Sequence, residues 1–206
     1  MNFDHLDYPY TSRRTTSIAS NGMVATSQPL AAQAGLEILK AGGNAIDAAV
    51  ATAACLTVVE PTSNGIGSDA FALIWTNNKL KGLNASGFSP ADISIPTVKK
   101  RGYEKMPANG WLPVTVPGAP SAWAELIKTH GNLSLKQVLK PAINYAREGY
   151  PISPTTGQNW QKAFKSYQKK LKGEQFKSWF QTFAPNNRPP EIGEIWSSPE
   201  QARTLE

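Results

Sequence analysis

The chain has 206 residues, 40% of them hydrophobic, with six tryptophans, a formal net charge of +6 and a sequence pI of about 9.4. That length and apolar content fit one sizeable domain and exclude a disordered or low-complexity chain. The lone cysteine, Cys55, excludes an internal disulfide, and no apolar run approaches the roughly 20 residues a membrane-spanning helix needs.

Residues 1–21 read as a polar, extended arm. Arg13-Arg14 is followed by Thr15-Thr16-Ser17 rather than by an apolar run of about 7–15 residues, so no secretory signal pattern is present and the expected location is the cytoplasm. Residues 23–27 form a short strand candidate. Gln28-Pro29 opens a helix that runs through Lys40, with proline tolerated in the first turn and Leu30, Ala34, Ile38 and Ala41 near one stripe.

The segment Gly42-Gly43-Asn44-Ala45-Ile46-Asp47 combines a helix stop with a helix start. Either glycine can take the left-handed conformation that ends a helix, and Asn44 can cap the next one with Asp47 in its first turn. From residue 45 to residue 59 small and apolar side chains cover nearly every face, which places this helix in a core. Pro61 stops it. Gly65 and Gly67, in Glu60-Pro61-Thr62-Ser63-Asn64-Gly65-Ile66-Gly67, allow a tight turn or a close approach.

Residues 71–76 and 79–85 read as two strands joined at Asn77-Asn78, whose side-chain type tolerates positive φ. Both faces of this hairpin are expected to be covered, in a layered arrangement of sheet and helices. The second half is mostly helical. Helices are expected over 92–102, 120–129 (Trp123, Leu126 and Ile127 inward), 134–147 (capped by Ser134, ended near Gly149), 158–172 and 176–183. Residues 111–119 are extended and 185–190 form a loop. Ser198 and Pro199 open one more helix that reaches the last residue without a stop signal, so the chain reads as part of a longer polypeptide.

Little in these residues carries chemistry by itself. Cys55 lies in the apolar helix, the position of an inert buried thiol. His5 sits in the polar arm and His130 at a helix end, so no metal-ligand spacing exists and no cofactor is expected. Thr15, Thr16, Thr155 and Thr156 read as loop or helix-start residues, and Thr62 as a turn or cap residue. Lys162, Lys165, Lys169 and Lys172 recur at helical spacing with Phe164 and Leu171 on another face. This pattern describes a solvated helix face, with an anion-binding surface as the alternative.

Five pieces in order carry a more specific signal. They are Gly22-Met23-Val24-Ala25-Thr26-Ser27, the block from Gly42 to Gly67, Pro90-Ala91, Val116-Pro117-Gly118-Ala119-Pro120, and Leu139-Lys140-Pro141-Ala142 with Ala146-Arg147-Glu148-Gly149-Tyr150. Together they resemble the large-subunit segment of the gamma-glutamyltranspeptidase family, which includes cephalosporin-acylase-like relatives. The resemblance implies the α+β class and the N-terminal-nucleophile hydrolase αββα sandwich. Only the N-terminal portion of that sandwich would be present, with residues 22–206 as the incomplete large-subunit part.

It further implies a self-processing acyl-transfer enzyme acting on gamma-glutamyl amides such as glutathione. The nucleophile would be the N-terminal threonine of a small subunit beyond residue 206. No catalytic residue is therefore expected in this segment, which should be inactive alone. Its implied partners are a small gamma-glutamyl or acyl-amide substrate and the rest of its own precursor. Neither nucleic acid nor a membrane is expected, and oligomerisation is left open.

Two departures stand out. The family holds the donor's carboxylate with an arginine shortly before a Pro-Ala pair. Aligned on Pro90-Ala91, that position is Ser86, which offers one hydroxyl and no charge. In the glycine loop, Gly65-Ile66-Gly67-Ser68-Asp69-Ala70-Phe71 carries an acidic residue, Asp69, read as a turn or cap residue with an active-site-wall role as the alternative. The absent arginine keeps three readings open: a gamma-glutamyl enzyme with altered donor preference, a glutaryl or cephalosporin acylase, and a non-catalytic binding homologue.

Overall fold

In the computed structural model, residues 16–206 are described. Of the arm over 1–21, residues 1–15, including His5 and Thr15, lie outside the described part. Residues 22–26 have no regular structure. The strand expected over 23–27 is absent because no neighbouring strand offers this segment a ladder of hydrogen bonds among the described residues. An extended stretch becomes a strand only with such a partner.

The core is a helical layer. Helix α1 (Pro29–Lys40) begins where the Gln28 carboxamide accepts from the N–H groups of Leu30 and Ala31, at 2.5 and 3.2 Å. Its buried stripe is Ala31, Ala34, Gly35 and Ile38; Ala34 and Ile38 are buried as read in the sequence, while Leu30 is half-buried and Ala41 is exposed. Gly42 ends it at φ +92°.

Helix α2 (Ala45–Val59) starts at the expected Asn44 cap, and Asp47 in its first turn completes a capping box. Asn44 Oδ1 accepts from Ile46 and Asp47, while Asp47 Oδ2 accepts from the Asn44 N–H at 2.8 Å. It packs between α1 and α5 (Leu135–Glu148), with α4 (Ala119–His130) alongside. Ala45 and Ala49 are nonetheless exposed, so the helix is covered on most sides rather than all.

Strands β1 (Ala70–Thr76) and β2 (Lys79–Ala85) pair antiparallel, from Ala70 opposite Ala85 to Thr76 opposite Lys79. Asn77 and Asn78 take φ of 50° and 57°, which matches the two-residue turn expected of them. One face of the hairpin lies against α4 and buries Ile74. The other carries Phe71, Leu73, Trp75 and Leu80, exposed by 69%, 79%, 68% and 63%. The expectation that both faces are covered therefore fails within this chain, because two strands with helices on one side leave the second side bare.

The remaining elements follow the helical pattern with shifted starts. α3 (Ile95–Lys100) is capped by Ser94. α5 opens on the Ser134–Gln137 capping box and ends at Gly149, φ +90°. α6 (Pro154–Lys170) begins four residues before the expected 158. Ser153 caps it and Pro154 occupies its first turn, a start signal as plain as that of α1.

A 3₁₀ turn at Glu174–Phe176 leads into α7 (Lys177–Phe183), and α8 (Pro199–Leu205) packs on α5. Ser198 makes no side-chain cap bond, contrary to its expected role. A two-residue ladder joins β3 (Tyr150–Pro151) to β4 (Ile195–Trp196). No local pattern announces it, since its partners lie far apart in the chain.

Candidate functional site

The base of the hairpin gathers three segments: the end of the glycine loop, the exit of β2, and the strap over 111–118. Asp69 ties them together. Its Oδ1 accepts from the Gly87 N–H at 2.8 Å and from the Thr115 hydroxyl at 3.4 Å. The Ser68 carbonyl accepts from the N–H groups of Gly118 and Ala119, at 3.1 and 2.8 Å. Those two donors would otherwise be unsatisfied at the start of α4, whose Gly118 cap has no side chain to serve them. The Val116 N–H donates to the Phe88 carbonyl at 2.9 Å and closes the strap onto the β2 exit.

Two glycines make this approach possible. A Cβ at Gly87 would stand 1.6 Å from the Val116 carbonyl oxygen, and one at Gly118 would stand 1.9 Å from that of Ala85. Each obstacle is backbone, so no side-chain rotation relieves it. By contrast, neither Gly65 nor Gly67 has positive φ, and a Cβ on Gly67 would meet open space. The tight turn read from the sequence is present, closed by the Ser68 N–H donating to the Gly65 carbonyl at 3.0 Å, but neither glycine makes a close approach that would exclude a side chain. Asp69 is neither the turn residue nor the cap expected of it: its carboxylate is used by distant backbone and side-chain donors, Gly87 beside Ser86 and Thr115 in the strap.

Ser86 is exposed at this rim, one residue before Gly87, and its N–H donates to Asn84 Oδ1 at 2.9 Å. Phe88, 84% exposed, follows it. The rim therefore offers a hydroxyl on a backbone fixed on both sides. Nothing in the sequence signalled the tethers from Gly87 and Thr115, because the need for them arises in the facing strap.

The other singled-out residues stand apart from this rim. Cys55 is fully buried. Burial, and secondarily the Glu37 carboxylate, push its thiol from the ordinary 9.0 up to about 12, so it holds its proton and is not nucleophilic. Tyr150 is raised further by burial and donates to the Val58 carbonyl at 2.7 Å. His130 closes α4, and its carbonyl accepts from Asn44 Nδ2 at 2.6 Å.

Thr16 and Thr155 are exposed, and Thr156 is buried in the first turn of α6 against the Ser153 hydroxyl. Thr62 lies in the turn after α2, with a buried hydroxyl that has no hydrogen-bond partner. Lys162, Lys165 and Lys169 are exposed on α6 while Phe164 is buried, and Lys172 is exposed past the helix end. Among the described residues no three His, Cys, Asp or Glu side chains stand together as a metal site, and no helix is long and apolar enough to cross a membrane.

Comparison with known proteins settles the family. The model of the gamma-glutamyltranspeptidase family matches residues 31–206. The chain belongs to the gamma-glutamyltranspeptidase family. Its structure is similar to the crystal structure of cephalosporin acylase from Bacillus halodurans, with a TM-score of 0.96 and 59% identity over 100% of this chain and 38% of that one. It is also similar to the Helicobacter pylori gamma-glutamyltranspeptidase, with a TM-score of 0.82 and 30% identity over 93% of this chain and 54% of that one.

Among curated proteins, the glutathione hydrolase-like YwrD proenzyme of Bacillus subtilis (strain 168) is 42% identical over 139 residues, which is 66% of this chain and 26% of that protein. The chain thus spans only part of the length of each relative. What it contains is a portion of the N-terminal-nucleophile hydrolase fold, a mixed assembly of helices and sheet.

Proposed function

We propose that residues 22–206 form the large-subunit part of a self-processing, gamma-glutamyltransferase-like amidohydrolase with altered donor preference. In this reading the precursor cuts itself before a threonine outside these 206 residues. That new N-terminal threonine attacks an amide carbonyl, its own amine serving as base, and the acyl group passes to water or to an amine. These residues supply no nucleophile; they supply a wall of the site and are inactive alone.

The single observation that carries the reading is the bare apolar face of β1 and β2 beside the tethered Ser86 rim, in a chain that covers 38% of a closely similar acylase. A face of this kind has to be covered by something, and the remainder of the precursor is the partner that fits. Ser86 then stands at the donor-binding wall, where a hydroxyl cannot replace the two-pronged hold of a guanidinium on a carboxylate.

That same serine favours a second reading, an acylase for glutaryl-type amides, and the likeness to the Bacillus halodurans cephalosporin acylase supports it. Steady-state kinetics of the full gene product on a gamma-glutamyl anilide and a glutaryl anilide test the premise that both readings share. The altered-donor reading expects kcat/KM for the glutaryl substrate, which lacks the α-amino and α-carboxyl groups, to equal or exceed that for the gamma-glutamyl one. A strong preference for the gamma-glutamyl anilide would contradict it.

A further inference from the structure

On the side of the molecule built by α6, the 3₁₀ turn and α7, a cleft of about 510 Å³ opens against the start of the 111–118 strap. Its walls are aromatic: Trp111, Tyr167, Phe176, Trp179 and Phe183. Trp111 and Phe176 lie parallel, with ring centroids 6.2 Å apart and planes within 8°. Tyr167, Trp179 and Phe183 are held edge to face or tilted at 4.8–5.5 Å, which fixes that wall. Trp111 is nevertheless 64% exposed. Trp111 thus offers a flat apolar face in these 206 residues.

The neighbouring hollow, of about 470 Å³, shares Trp111 and Phe176 with the cleft and is rimmed by Arg101, Lys170 and Lys172. No Asp or Glu lines either space. None of the three cations is ion-paired among the described residues, although Lys172 Nζ donates to the Gln168 carbonyl; Glu174, the acid nearest to Lys172 in sequence, pairs with Lys177. Flat apolar walls beside unpaired cations define a ligand with a flat apolar body and a negative end.

We propose that this cleft is a binding site for a planar aromatic carboxylate, its ring against Trp111 and Phe176 and its carboxylate toward Arg101, Lys170 and Lys172. The site is distinct from the acyl-transfer reading and does not depend on it. The two are joined through the strap, since Val114 lines the cleft and Val116 is bonded to Phe88 at the rim.

The test uses the full gene product and 2-naphthoate as probe, with 2-naphthalenemethanol and cyclohexanecarboxylate as the uncharged and non-aromatic controls. Binding is read by calorimetry and by tryptophan fluorescence. Saturable binding of 2-naphthoate is expected, with each control weaker by about threefold or more. Trp111→Ala should weaken 2-naphthoate about fivefold, and because that side chain is exposed the melting temperature should not move. The double change Lys170→Gln with Lys172→Gln keeps every ring and should bring 2-naphthoate down to the affinity of the alcohol. Absence of saturable binding, equal affinity for acid and alcohol in the unaltered protein, or an unchanged affinity in Trp111→Ala would each overturn the proposal.

Discussion

Asp69 Oδ1 accepts the Gly87 N–H at 2.8 Å, across 18 residues of chain, and so fixes the backbone on which Ser86 is carried. Because Asp69 is exposed, losing this bond should cost little global stability. It should loosen the rim instead. Asp69→Ala is expected to lower kcat/KM of the full gene product roughly three- to tenfold with little change in melting temperature. A large drop in melting temperature with unchanged kinetics would mean that the carboxylate is structural only.

Gly118→Ala should behave in the opposite way. The new methyl would meet the Ala85 carbonyl at 1.9 Å, so α4 and the β2 exit must separate. A loss of about 3 kcal/mol or more is expected, with poor recovery of folded protein. Normal expression and an unchanged melting temperature would show that the strap does not pack here.

Asp47 anchors the opposite end of the helical layer. Fully buried, it accepts from Asn44 at 2.8 Å and from Asn132 at 3.0 and 3.2 Å, joining the start of α2 to the turn between α4 and α5. Asp47→Ala removes a cap and strands those donors, for a cost of about 3 kcal/mol. In thermal melts of the full gene product, the transition should fall by several degrees.

Cys55 provides a pH test. Its thiol is raised from 9.0 to about 12 in the folded chain, so folding favours the protonated form. That contribution is whole below pH 9 and is lost as pH rises toward 12, because the unfolded thiol ionises first. Cys55 should resist alkylation in native protein at pH 8 and react on unfolding. Cys55→Ala should flatten part of the alkaline fall in stability. Rapid native alkylation would contradict the burial.

What the sequence made legible was local. Asn44 with Asp47, Ser134, and Asn77-Asn78 each announce an element within a few residues, and each stands where expected. Long-range pairing was not legible. Tyr150 with Trp196, and the grip of Asp47 on Asn132, depend on partners that no window of sequence brings together. The same limit explains residues 23–27, which have the composition of a strand and no neighbour to pair with among the described residues. At the candidate site, the spacing of Ser86 from Pro90-Ala91 was readable. The necessity of Gly87 was not, because it is imposed by the Val116 carbonyl.

The bare hairpin face should separate the chain alone from the whole protein. The 206-residue chain produced by itself is expected to bind a hydrophobic dye and to aggregate. Leu73→Thr with Trp75→Thr should relieve both effects, yet destabilise the full gene product, where the face is covered. A soluble 206-residue chain that melts cooperatively without binding dye would refute this.

The most direct test of the central claim is the intact mass of the full gene product after purification, with the N-terminal residue of each polypeptide determined. A self-processing member of this family should yield two chains, the smaller beginning with threonine and the larger containing these 206 residues. A single uncut chain, in protein that is folded and correctly made, would contradict the acyl-transfer account and leave a relative that only binds.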